Sequence, residues 1–143
     1  MVVHSAEYLN DFVNSFHALP ILRPGDKVAI LSPSFAAPAV WPHVHELGCQ
    51  RLREVFGLEP IEFPTTRKLG APVEDKMRDL IQAFEDPSIK AVISTLGGDE
   101  QVTWVKKLPR EPFMNNPKPF FGYSDNGQFM DFLWKCRIPS FYG

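Results

Sequence analysis

Ile89-Lys90-Ala91-Val92-Ile93-Ser94-Thr95-Leu96-Gly97-Gly98 is the stretch on which the reading of the fold turns. A β-branched, apolar run of this length, closed by paired glycines, reads as a strand ending in a tight turn. A helix from about Glu100 to Lys107 follows it. Before it, Met77, Leu80, Ile81 and Phe84 repeat at helical spacing. The clearest strand of the chain is therefore flanked by helices on both sides.

Working outward, the same alternation continues. Downstream, a Pro-rich loop leads to a strand at Phe120-Phe121-Gly122, a helix from Asn126 to Lys135 and a further strand beginning at Ile138. Upstream, Lys27 to Leu31 reads as a short buried strand. Ser32-Pro33-Ser34 and the Pro/Ala segment to Pro42 read as a loop. Val44, Leu47, Leu52, Val55 and Phe56 mark one helical face, with Gly57 suited to its C-terminal cap. Pro60 to Pro64 is a second short strand. The first twenty residues form an amphipathic helix through Tyr8, Leu9, Phe12, Val13 and Phe16, stopped by Pro20 and the Pro24-Gly25-Asp26 turn. His4 and His17 are expected on the surface of that leading helix.

Strands alternating with helices specify an α/β domain with a mostly parallel sheet flanked by helices. The working edge of such a sheet is where strands end and helices begin. That edge should collect three turns: Ser32-Pro33-Ser34, Gly97-Gly98-Asp99 and Ser124-Asp125. Residues 1–21 read as a helical extension and residues 22–143 as the domain proper. The chain halts at Gly143 as a strand finishes, which reads as one domain of a longer protein.

Bulk properties narrow the function. The chain has 143 residues, 44% hydrophobic and 22% charged, with a formal net charge of −2. One soluble domain with one core is expected. No basic stripe exists to neutralise phosphates, which argues against nucleic-acid binding. No apolar run approaches a membrane span, and the N-terminus lacks the pattern of a signal peptide, so a cytoplasmic location is expected. The two cysteines, Cys49 and Cys136, are far apart and show no metal-ligand spacing. They are expected as reduced, buried thiols.

Ser124 sits between an apolar run and a helical one, where a hydroxyl is exposed beside backbone N–H groups. Those are the needs of a serine nucleophile with an oxyanion site. The consensus elbow has glycine two positions on, and Asn126 stands here. Serine before aspartate at a helix start is also ordinary capping chemistry, so the cap reading stays open. Gly97-Gly98 admits a plain turn, an anion cradle of the kind used for phosphate, or a donor pair for an oxyanion. His43 and His45, two apart at a helix start, are the histidines nearest the working edge and candidates for a base.

With these motifs in order, a resemblance emerges. Leu22 to Ser34 is similar to the opening of the LD-carboxypeptidases, Asp86 to Ile93 with Gly97-Gly98 resembles their second signature, and Asn116 to Asp125 resembles their nucleophile motif. Ile138 to Gly143 is similar to the strand that follows. The family's members are cytoplasmic serine peptidases that cleave an L-to-D amide bond in murein tetrapeptides during peptidoglycan recycling. Relatives inactivate the peptide-nucleotide antibiotic microcin C. The resemblance implies a flavodoxin/Rossmann-like N-terminal domain of a two-domain peptidase. It implies Ser124 as nucleophile and the backbone N–H groups of Asp125 and one of Gly97 and Gly98 as the oxyanion hole. It also implies a peptide substrate and no metal or organic cofactor, and it suggests a homodimer. The family's catalytic Glu and His lie in a C-terminal domain absent from this chain, so the chain alone is expected to be nearly inactive. Gly127 stands where the family has Thr, and Tyr142 where many members have His. The competing expectation is a catalytically dead ligand-binding or regulatory α/β module in which Ser124 only caps a helix.

Overall fold

The computed structural model describes residues 5–143. Among these residues five strands form one all-parallel sheet in the order β2-β1-β3-β4-β5. They are β1 (Lys27–Leu31), β2 (Glu59–Glu62), β3 (Ile89–Ser94), β4 (Phe120–Gly122) and β5 (Phe141–Tyr142). This is the flavodoxin-like order, in which the chain reverses direction across the sheet between β1 and β3. The α/β fold and parallel sheet expected from the alternation are those observed.

The helices are α1 (Ala6–Asn14), α2 (Ala37–Val40), α3 (Pro42–Glu54), α4 (Val73–Glu85), α5 (Gln101–Trp104), α6 (Glu111–Asn115) and α7 (Gly127–Lys135). Two of these fall where loops were expected. Pro38 stands in the first turn of α2 inside the Pro/Ala segment, and Pro112 in the first turn of α6 inside the Pro-rich loop. Proline in the first turn of a helix loses no hydrogen bond, so these prolines open helices rather than forbid them. The helix expected from Glu100 to Lys107 divides into α5 and a 3₁₀ turn at Val105–Lys107.

One face of the sheet carries most of the core. Phe84 of α4, Phe113 of α6, Phe120 of β4 and Phe129 of α7 are all fully buried. They meet edge to face, with Phe129 centroids 4.9 Å from Phe120 and 5.5 Å from Phe113. Removing one such ring typically costs about 3–5 kcal/mol. The opposite face is thinner. Val28, Ile30, Leu58 and Ala91 form a small cluster with Leu52 of α3.

Ser5 caps α1 by accepting from the Tyr8 N–H at 3.2 Å. No residue of this helix is buried. It reaches the body through Phe12 and through Phe16 just beyond it, whose rings lie 5.9 and 4.5 Å from that of Trp134. His17 falls past the helix end, where its N–H donates to the Arg137 carbonyl. His4 lies outside the described residues.

Candidate active site

The strand ends β1, β3 and β4 release three loops into one crevice. The Phe35 N–H donates to the Gly97 carbonyl at 3.2 Å, and the Thr95 N–H to that of Leu31 at 2.9 Å. Asn126 Nδ2 donates to the Leu96 carbonyl at 3.1 Å, while its Oδ1 accepts from Gln101 Nε2 at 2.7 Å. The convergence expected of a parallel sheet is thus made concrete by cross-loop hydrogen bonds.

Ser124 opens a 3₁₀ turn (Ser124–Asn126) that leads into α7. Its φ is 58°, a left-handed value that a residue with a Cβ adopts only under constraint. Its N–H donates to the Tyr142 hydroxyl at 3.2 Å. Its Oγ hydrogen-bonds no group among the described residues. Tyr123, not Ser124, holds the N-cap position, and no side chain caps this turn. The Ser124 side chain thus makes no capping bond here, and the N-cap position of α7 belongs to Asn126.

Gly97 packs against this serine, and Gly98 against Ser34. A Cβ on Gly97 would sit 2.7 Å from the Ser124 Cβ and 3.2 Å from the Asp125 nitrogen. A Cβ on Gly98 would sit 2.8 Å from that of Ser34. Close approach of backbone to backbone is what these positions require, and only glycine allows it. Neither glycine donates its N–H to another group among the described residues. Ser124, Gly97, Gly98, Ser34 and Lys76 line a cavity of about 610 Å³ at this edge.

Asp125 is not among the residues that line that space. Its carboxylate accepts from the Ser34 hydroxyl and from the N–H groups of Glu100 and Gln101, at 3.2 and 3.1 Å. The anion collected at the start of α5 is therefore the protein's own. This counts against an open phosphate cradle there.

His45 takes no part in the crevice. Its Nε2 meets Glu62 Oε1 at 2.9 Å, and it lines a neighbouring cavity of about 640 Å³ instead. Two contributors were not expected. Lys76 of α4 is buried and donates to the Ser34 carbonyl at 2.8 Å while pairing with Glu100. Nothing local distinguishes it from a solvated lysine on an amphipathic helix. Tyr142 was singled out as a departure from the family pattern, and its reach to Ser124 comes only from the pairing of β4 with β5.

Comparison with known proteins supports the same grouping. The family profile for the LD-carboxypeptidase N-terminal domain matches residues 28–143. A Vibrio cholerae protein bearing a carboxypeptidase name is 28% identical over 127 residues, covering 85% of this chain and 38% of that protein. The crystal structure of an MccF-like protein from Bacillus anthracis aligns with a TM-score of 0.82 at 28% identity, over 89% of this chain and 40% of the other. An MccF-like protein from Streptococcus pneumoniae, solved in complex with AMP, aligns at 30% identity and a TM-score of 0.73, over 83% and 37%. The chain spans about two fifths of the length of these relatives.

Proposed function

The chain belongs to the LD-carboxypeptidase N-terminal domain family, and on that premise we propose that it is the nucleophile-bearing part of a serine peptidase. The substrate class is a peptide with an L-to-D amide bond, as in murein tetrapeptides, or a related peptide-nucleotide. The observation that carries the reading is Ser124 itself: a left-handed residue on a strand-to-helix turn, its Oγ without a hydrogen bond among the described residues, at a cavity lined by Gly97 and Gly98.

In this reading Ser124 Oγ attacks the amide carbonyl while a histidine from another part of the protein takes its proton. The N–H groups of Asp125 and of Gly97 or Gly98 hold the developing oxyanion, where a single donor is worth about 10²–10³ in rate. The amine leaves with the proton, and water resolves the acyl-enzyme. Asp125 contributes through its backbone, its carboxylate being spent on joining the three loops. The AMP held by the Streptococcus pneumoniae relative favours the peptide-nucleotide branch of the proposal.

The test compares the natural protein carrying these residues, purified from its own cells, with its Ser124→Ala counterpart. Release of the terminal D-residue from a murein tetrapeptide and hydrolysis of an aminoacyl-nucleotide analogue are followed by mass spectrometry. A fall of about 10⁴–10⁶-fold in turnover with substrate binding retained is expected. Binding of either substrate without turnover in the natural protein would replace the peptidase with the ligand-binding module.

A further inference from the structure

Away from Ser124, three side chains from two elements bring their donor atoms to one point. His45 and Cys49 stand four apart on α3, one turn from each other on a single face. Glu62 ends β2, held beside Ile30 of β1 by the parallel register. His45 Nε2 lies 3.6 Å from Cys49 Sγ and 2.9 Å from Glu62 Oε1, and the three donor atoms are all within 4.8 Å of one another. The His45 side chain and Cys49 are buried, while Glu62 is exposed.

We propose that His45, Cys49 and Glu62 bind a zinc-class divalent cation that ties helix α3 to strand β2. The arrangement is convergent. Both His45 contacts use the same Nε2, so the three groups cannot work as a nucleophile–base–acid relay, which needs both ring nitrogens. A single cation placed between the three satisfies them together. Tetrahedral zinc with nitrogen at about 2.0–2.1 Å and sulfur at about 2.3 Å separates those two ligands by about 3.6 Å, the spacing found here. The nitrogen–oxygen edge would open by about 0.4 Å, a small rotation of a partly exposed glutamate.

The donor set selects the metal. One imidazole, one thiolate and one carboxylate suit zinc, whereas magnesium and calcium want oxygen alone. Charge also balances. A dication offsets Glu62 and the Cys49 thiolate, and Arg67 outside them is offset by Glu46, which it meets at 2.6 Å. Arg67 also holds Glu62 through both carboxylate oxygens, at 2.6 and 2.8 Å, fixing the ligand as outer-shell partners do. The cavity beside His45 and Cys49 gives a fourth ligand, water, a place to stand. On binding, Cys49 releases its proton to solvent and neutral His45 carries its proton on Nδ1.

The test titrates the full, tag-free chain with Co²⁺ after chelator treatment, in reductant-free anaerobic buffer. One equivalent and a thiolate-to-cobalt charge-transfer band, displaced by Zn²⁺, are expected. Cys136→Ser should keep the band, Cys49→Ser should lose it, and Glu62→Gln should weaken Zn²⁺ binding at least about tenfold. Far-UV circular dichroism establishes that each variant is folded, and His45→Gln provides a second loss variant should Cys49→Ser fail. Absence of the band in the unmodified chain, or its survival in folded Cys49→Ser, would overturn the site.

Discussion

Gly97 and Ser124 touch across the crevice so closely that a Cβ on the glycine would lie 2.7 Å from the serine Cβ and 2.9 Å from its Oγ. The two residues come from different loops, one after β3 and one after β4. Whatever Ser124 does, its position is set by a backbone that has no side chain to spare. The contact also brings the Asp125 nitrogen close to the Gly97 backbone, the juxtaposition a two-donor oxyanion site requires.

Gly97→Ala should therefore destabilise the chain by about 1–3 kcal/mol, the usual range for overpacking a filled site. Gly48 supplies the opposing control. It lies inside α3 with no atom within 4 Å of an added Cβ, so Gly48→Ala should stabilise by about 0.5–1 kcal/mol. Thermal unfolding should move the two melting temperatures in opposite directions, about 3–5 °C per kcal/mol at this size. Two shifts of the same sign would refute the close contact.

The difference between what was legible in the sequence and what was not follows the range of the interaction. Apolar runs alternating with helical faces are local, and they specify the parallel sheet. A parallel sheet in turn places every strand-to-helix turn at one edge, so the meeting of Ser34, Gly97 and Ser124 was foreseeable. Side-chain partners were not. Asp125 was expected to act through its backbone N–H, and its side chain proves to be the clamp that joins Ser34 to the start of α5. Lys76 reaches Ser34 across 42 residues of chain. His45 was weighed as a base near the serine, but the register of β2 puts Glu62 against it instead. The thiols of Cys49 and Cys136 are free and buried, as expected. Burial pushes both above their ordinary range.

Ser124 allows cap and nucleophile to be told apart by stability alone. An N-cap serine loses about 1 kcal/mol on change to alanine. Ser124→Ala should stay within about 0.5 kcal/mol, because its Oγ makes no hydrogen bond among the described residues. Ser124→Gly should match or exceed the parent by up to about 1 kcal/mol, since glycine relieves left-handed strain while adding freedom to the unfolded chain. Urea unfolding measures both. A loss of 1 kcal/mol or more in the alanine variant would restore the cap.

Asp125 should matter more to the fold than the serine beside it. Asp125→Ala leaves the Ser34 hydroxyl and the N–H groups of Glu100 and Gln101 without their acceptor. Unsatisfied buried donors cost about 1–3 kcal/mol each, and partial exposure here brings the total to about 2–3 kcal/mol. Asp125→Asn keeps one carbonyl oxygen and should lose about half as much. The urea midpoint should order the proteins as parent, Asn, Ala. An Ala variant as stable as the parent would show that the three loops hold together without the clamp.

Lys118 gives the fold a pH signature. Its Nζ is buried and donates to the carbonyl oxygens of Ala83 and Asp86. Burial lowers its pKa from 10.5 to about 8, with the Asp86 charge pulling weakly the other way. Below about pH 8 the amine is protonated in both states, and the penalty of burying the charge is present in full. Between about 8 and 10.5 the unfolded chain still holds a proton that the folded chain has released, so stability rises with pH. At about 1.4 kcal/mol per unit, the parent should gain up to about 3 kcal/mol over Lys118→Met across that window. Urea unfolding of both proteins at half-unit steps isolates this group, since other titrations cancel in the difference. A gap that stays flat from pH 8 to 10.5 would mean that the two carbonyl bonds keep the buried amine charged.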